Sequence, residues 1–232
     1  MSESKSADPE AAHTVADDPG PGWLPAILAA TMLMAIVGFI TCGVSTYFLF
    51  QKRGELAVRT LDGNLIPTIE QSRIEPDQKA ELVERLKEFS AEIARGNVEN
   101  WQAAGVMQRL QRIPIYQWGE LSAVEAFARS NWEGEEQANA LKQISRLRRS
   151  VELAQSTVFD VEDVLTPVHQ TDDGAYGRSL ITPLTTKAVA DVVKRATLVA
   201  DRSEVPDEPF ETIRIDVIVQ REIEKGIAEG SY

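Results

Sequence analysis

Hydrophobic positions follow two regimes along this chain. From Trp23 to Phe50 the sequence reads WLPAILAATMLMAIVGFITCGVSTYFLF, 28 consecutive positions without Asp, Glu, Lys or Arg. After it, apolar residues recur three or four positions apart, the spacing of amphipathic helices. A helix needs roughly 20 apolar residues to cross a ~30 Å hydrocarbon core, so residues 23–50 are predicted to form a transmembrane helix. Trp23 and Tyr47 supply amphipathic rings towards its two ends, where the membrane interface favours them. Pro25 falls in the first turn, where a missing N–H costs little, and Lys52 and Arg53 stop the run. A cleaved signal peptide needs a basic leader and an apolar stretch of 7–15 residues. Here Glu3, Asp8, Glu10, Asp17 and Asp18 stand against Lys5 alone, so residues 1–22 are expected to be a disordered acidic tail and the helix an uncleaved anchor. Thr31, Ala35, Gly38, Cys42 and Ser45 repeat at 4-3-4-3 within the run. Small side chains at that spacing let a second helix approach closely, which makes this face a candidate for self-association; lipid-facing filler is the alternative.

Residues 51–75 read as a juxtamembrane connector, with Glu55 and Arg59 as an i,i+4 pair that can carry helix on its membrane side and a turn at Asp62-Gly63. Residues 76–165 are predicted to be a helical domain. Its first helix, 76–94, aligns Leu82, Leu86, Phe89 and Ile93. Asn97 caps a second, 98–112, that carries Ala103, Met107 and Leu110. Ser122 and Glu125 form a capping box for a short helix ending at Ala128. The clearest pattern lies over residues 135–165, where Ala140, Ile144, Leu147, Val151, Ala154, Val158, Val161 and Leu165 repeat at 4-3-4-3-4-3-4 with no Pro or Gly. That predicts one coiled-coil-like helix about 46 Å long at 1.5 Å per residue. Its seam residues Ile144, Leu147, Val151 and Val158 are candidate interaction positions. Their partner is either the same helix of a second chain or the shorter helices of this one. The intrachain option is preferred, because those helices need a surface to bury against.

Beyond it, residues 166–182 read as a linker and 183–232 as a C-terminal helical segment, opened by Thr182-Pro183 as cap and first position. Residues 210–228 fit both a strand and a helix; helix is preferred, since a lone strand leaves its backbone unpaired. The expected class is therefore mostly α: a single transmembrane helix, a small helical bundle with one long heptad-patterned helix, and a C-terminal helical segment.

Charge and chemistry narrow the function. The chain holds 24 Lys+Arg against 36 Asp+Glu, a net charge of -12. A nucleic-acid binder must neutralise phosphates with Lys and Arg, so nucleic acid is not an expected partner. One Cys and two His leave no disulfide framework and no Cys-based zinc site. Trp101, Tyr116, Trp118, Phe127 and Trp132 cluster as an expected core rather than an aromatic docking surface. Lys142, Arg146, Arg148 and Arg149 form a basic patch, expected to be a solvated helix face, with anionic lipid or an acidic partner as the functional option. No phosphate loop, dinucleotide fingerprint, nucleophile elbow or metalloprotease motif occurs. His169, near Asp160, Glu162, Asp163, Asp172 and Asp173, is the one candidate acid–base or metal cluster, and its spacing matches no known ion loop. No catalytic, cofactor-binding or metal-ligating residue is assigned, and no cofactor is expected.

The expected function is a non-enzymatic, single-pass membrane-anchored protein serving as a protein–protein interaction or scaffold component. Its expected partners are the lipid bilayer, an unknown protein, and a second copy through the transmembrane or long helix. Lys52, Arg53 and Arg59 follow the apolar run, so the large C-terminal region is expected in the cytoplasm and the tail outside. The alternative is a membrane-tethered sensing or signal-relay protein, for which helical continuity between Phe50 and Pro67 is the discriminating feature. A membrane-anchored hydrolase of unrecognised type ranks below both.

Overall fold

The structure is a computed structural model in which residues 22–171, 178–211 and 213–230 are described. It divides into two compact units, one up to Phe48 and the other Leu49–Tyr232. The expected disordered tail, with His13, lies outside the described residues except for Gly22.

The first unit is a single helix, α1 (Trp23–Gln51). Its stretch Trp23–Phe48 is long and apolar enough to cross a membrane, and none of it is buried within the chain. An apolar helix with every face uncovered needs an apolar surround. The hydroxyls agree with that setting: Thr31 donates to the carbonyls of Ile27 and Leu28, and Thr41 donates to that of Val37, so neither seeks an outside partner.

The second unit begins where a connector was expected, and here the helix runs on past its membrane side. α2 (Arg53–Thr60) runs through a π-helical turn at Leu61–Leu65 into α3 (Ile66–Gln71). Ala57, Leu61, Ile66 and Ile69 are its buried side chains. The step from Leu61 to Ile66 is five residues, and a π turn adds the one extra residue that keeps both on the buried face. Asp62-Gly63 thus widens a helix rather than ending one. α4 (Pro76–Ala94) buries Leu82, Leu86, Phe89 and Ile93 as its spacing predicts. α5 (Asn100–Leu110) is capped by Glu99, whose carboxylate and the Gln102 amide form a reciprocal box, so the cap lies two residues beyond Asn97. α6 (Ile115–Asn131) runs through the aromatic passage; Ser122 sits inside it and donates to the Trp118 carbonyl instead of capping.

The long helix is two helices. α7 (Gly134–Glu152) stops before Ala154, which turns left-handed at φ +58°, and α8 (Val158–Leu165) starts anew from Thr157. The heptad pattern of side chains continues across the break, but the backbone has a stronger local option. Thr157 and Asp160 form a capping box, with the Thr157 N–H donating to Asp160 at 2.8 Å, and the Val158 N–H donates to the Arg112 carbonyl at 2.8 Å. After a 3-10 turn (Thr166–Val168), the expected linker forms a small antiparallel hairpin of β1 (His169–Thr171) and β2 (Arg178–Leu180), with His169 opposite Leu180 and Thr171 opposite Arg178. α9 (Thr186–Arg202) begins after a cis Thr182–Pro183 bond and is capped by Thr185, so Thr182 is not its cap. α10 (Ile215–Glu229) is a helix, the option preferred for this stretch.

Two packings close the unit. α9 lies on α7 and α8, while α10 returns across more than a hundred residues to lie on α5 and α4. The α5–α10 contact is close because Gly226 carries no side chain: a Cβ there would sit 2.8 Å from Val106 Cα and 2.9 Å from its N. Beside it, Arg109 and Glu222 form a buried ion pair at 3.1 Å, their side chains 4% and 3% exposed, and Arg109 Nε also donates to the Gly230 carbonyl at 2.9 Å.

Substitutions at this contact are expected to be costly. Gly226→Ala overpacks it by about 1–3 kcal/mol. Glu222→Gln strips a buried cation of its buried partner, at a cost of about 3 kcal/mol. Gly63→Ala, at a glycine with nothing within 4 Å, is expected to leave stability unchanged. Chemical denaturation of the full chain in detergent, followed by tryptophan fluorescence, measures all three.

Candidate functional site

Within the second unit, the π-helical turn, α3, the facing ends of α5 and α6, α8 and the hairpin surround a cavity of about 780 Å³. Its apolar wall is built from Leu65, Met107, Leu110, Ile113, Ile115 and Leu180. These come from three separate stretches of chain; Leu110, Ile113, Ile115 and Leu180 also belong to the core, and Leu65 and Met107 are half-buried. Phe159 stands at the rim, 74% exposed.

The polar part centres on the first turns of α6. Glu120 accepts a hydrogen bond from His169 Nε2 at 3.0 Å, and the His169 side chain is 8% exposed. Nδ1 is buried with no partner. One turn earlier on α6, the Gln117 amide donates to Glu162 on α8 at 3.1 Å, while its own Oε1 is buried and unpaired. Gly119 lies between these residues because the backbone of Arg73 and Ile74 passes there. A Cβ at 119 would be 2.6 Å from Arg73 C and 2.7 Å from Ile74 N. Arg73 and Arg178, both exposed, complete the charged lining.

Such a pair of His169 and Glu120 orients an imidazole, as in a hydrolytic relay, but a relay needs a hydroxyl or thiol within reach of the ring. The Ser72 hydroxyl donates to the Ile69 carbonyl, and Ser179 accepts from Gln170, so neither nearby serine engages His169. The cavity presents an apolar wall, two buried polar atoms without partners, two guanidinium groups and the carboxylates of Glu120 and Glu162.

The sequence-level candidates fall elsewhere or in other roles. His169 meets Glu120, 49 positions away, not its sequence neighbours. Asp160 caps α8 and pairs with Arg202, and Asp163 pairs with Arg195. Asp172 and Asp173 lie outside the described residues. No three His, Cys, Asp or Glu side chains converge as a metal site among the described residues. Thr31, Ala35, Gly38, Cys42 and Ser45 are all exposed on α1. Ile144, Leu147 and Val151 are buried on α7, which packs on α9 and α6, so this part of the heptad seam is filled from within the chain. Val158 is half-buried on α8 and lines the cavity. Glu120, Gln117, Arg73 and Arg178 carried no local signal, because the chain brings them to His169 only by folding.

The basic patch on α7 is neither a solvated face nor a lipid-binding one. Arg146 is 3% exposed and grips the loop after α9, donating to the carbonyls of Val205 at 2.6 Å and Pro206 at 2.9 Å and pairing with Asp201 at 2.7 Å. Lys142 pairs with Asp207 at 3.0 Å. Arg149 pairs with Glu152 and lies over the Phe210 ring. Arg148 is buried over the Trp118 ring, 4.9 Å from its centre, beside Glu125 at 3.4 Å. Burial pushes the Glu125 carboxyl above its ordinary value in spite of that cation, and burial lowers the Arg148 guanidinium.

Comparison with protein-family models, with curated proteins and with solved structures finds no match for this chain.

The raised Glu125 group sets a pH dependence. Between 4.5 and its raised value the folded state holds a proton that the unfolded state has released. Glu125 therefore makes stability rise as pH falls through that window. The acidic side is opposed by Asp207 and Asp77, held below their ordinary 3.8 by hydrogen bonds from Lys142 and from Arg214 respectively; their stabilisation is lost below 3.8. Melting temperature against pH is expected to lose the first slope in Glu125→Gln, and to keep the loss below about pH 4.

Proposed function

We propose that this protein is a single-pass membrane-anchored component that presents a folded helical unit for interaction with other molecules, without catalysing a reaction. The observation that carries this reading is α1, whose apolar stretch Trp23–Phe48 is exposed. Its partners are the bilayer and a protein that binds the unit. Self-association is assigned to the α1 face of Thr31, Ala35, Gly38, Cys42 and Ser45, because the Ile144, Leu147 and Val151 seam is covered within the chain. The unit lies in the cytoplasm and the tail outside: 23 basic residues follow the apolar run, and Lys52, Arg53 and Arg59 sit nearest to it. The 31 acidic residues in the same region count little towards orientation.

A second reading, signal relay, is favoured by one feature. After a one-residue interruption at Lys52, the stretch from Arg53 to Gln71 is helical, its residues Ala57, Leu61, Ile66 and Ile69 belong to the core, and its π turn lines the cavity. A change at the cavity would reach the juxtamembrane helix through packed side chains rather than through a flexible tether.

Reporters active in only one compartment, fused after Tyr232, test the placement. Signal from the cytoplasmic reporter, with the chain retained in membranes after alkaline extraction, is expected. Signal from the external reporter overturns the orientation, and release into the soluble fraction overturns the anchor.

A further inference from the structure

We infer that the cavity beneath the π-helical turn binds a small amphipathic anion, an alkyl chain ending in a carboxylate or phosphate. The inference goes beyond the scaffold reading and does not depend on α1 crossing a membrane, since every lining residue belongs to the second unit.

Four observations carry it. The volume, about 780 Å³, lies within the roughly 300–1,000 Å³ of small-molecule pockets. Its wall is apolar over Leu65, Met107, Leu110, Ile113, Ile115 and Leu180 and continues to Phe159 at the rim, which suits a hydrocarbon body.

The third is where the free positive charge lies. In an acidic chain arginines find carboxylates readily, and among the described residues only Arg73, Arg129 and Arg178 make no ion pair or side-chain hydrogen bond. Two of those three line this one cavity. The fold brings them to the same place: the Arg73 backbone rests on Gly119, next to Glu120. Glu120 holds His169, and Arg178 lies on the strand paired with His169, two residues from Leu180 and on the same strand face. Glu120 and Glu162 also line the cavity, but they are engaged by His169 and Gln117 rather than by either arginine. Guanidinium groups match carboxylate and phosphate oxygens through paired N–H donors.

The fourth is that two of the five buried side-chain atoms without partners among the described residues, Gln117 Oε1 and His169 Nδ1, lie in this lining; the others are on Trp118, Trp132 and Arg148. Buried polar groups are nearly always satisfied in folded proteins. Gln117 Oε1 and His169 Nδ1 both belong to residues of this lining, where a water carried by the headgroup supplies a partner.

The test uses the full chain in lipid nanodiscs with photoactivatable alkyl probes of one length, a carboxylate, a phosphate and a neutral alcohol, with labelled peptides read by mass spectrometry. Both anions, or one of them, are expected to label residues 107–116 and 158–165, and the stronger names the headgroup. The alcohol is expected to label α1 alone. Arg73→Gln with Arg178→Gln is expected to cut cavity labelling by about tenfold, through loss of charge-assisted hydrogen bonds, and to leave α1 labelling and the melting temperature unchanged, both side chains being exposed. Cavity labelling by the alcohol equal to that by the anions, unchanged labelling in the double variant, or no cavity labelling by either anion overturns the proposal. Cavity labelling without α1 labelling supports it and instead overturns the membrane anchor.

Discussion

The return of α10 onto α5 is the contact on which the rest of the folded unit depends. It joins residues near 106 and 109 to residues near 222 and 226, so it closes a loop holding α6, the α7–α8 pair, the hairpin and α9. Its closeness comes from a missing atom, the Cβ of Gly226, and its specificity from a buried charge pair, Arg109 with Glu222. A buried ion pair adds little net stability over a well-packed apolar one, but a misplaced one is heavily penalised. The pair therefore favours one register of α10 on α5, within a wider network in which Glu229 also reaches Arg109 and Arg221 and Lys225 also reach Glu222.

The same logic recurs on α7. Arg146 and Arg148 are buried cations in an acidic chain, and each ties its helix to a segment that apolar packing alone would hold loosely. Arg146 secures the loop after α9 by its carbonyls, and Arg148 lies between Trp118 and Glu125 of α6. α7 has neighbours on two sides, α6 and α9, so the arc taken from water is wider than the heptad stripe. It takes in Gln143, Arg146 and Ser150 as well as Ala140, Ile144, Leu147 and Val151. This is why residues that read as a wet basic face are structural. It also bears on the cavity: where arginines are so consistently used, Arg73 and Arg178 stand out as charge held in reserve.

How far the fold was legible varies with the range of the forces involved. The helices at Pro76–Ala94 and Ile215–Glu229 followed from spacing, since an amphipathic stripe is a local property. The break between α7 and α8 was written locally too, in Thr157 and Asp160, but an uninterrupted apolar repeat outweighed it in the reading. The juxtamembrane stretch lacks a helical stripe because its buried residues step 4-5-3 rather than 4-3-4, and only a π turn makes that a face. Of the site, His169, Glu162 and Val158 stood out in the sequence, but the three not as one cluster. The His169 partner Glu120, and Gln117, Arg73 and Arg178, belong to no motif, because their proximity is created by the packing of α6 on the Arg73–Ile74 backbone and by the hairpin register.

The amino-acid sequence by itself determined the apolar helix, the mostly helical class and the acidic balance, all properties of composition and of neighbours within a turn or two. The tertiary structure alone decided which charges are buried and that a cavity exists at all. Those outcomes depend on contacts such as Gln117 with Glu162, 45 positions apart, and Arg109 with Glu222, 113 apart. Desolvation and close approach act through space at such sites, and nothing in local periodicity records them.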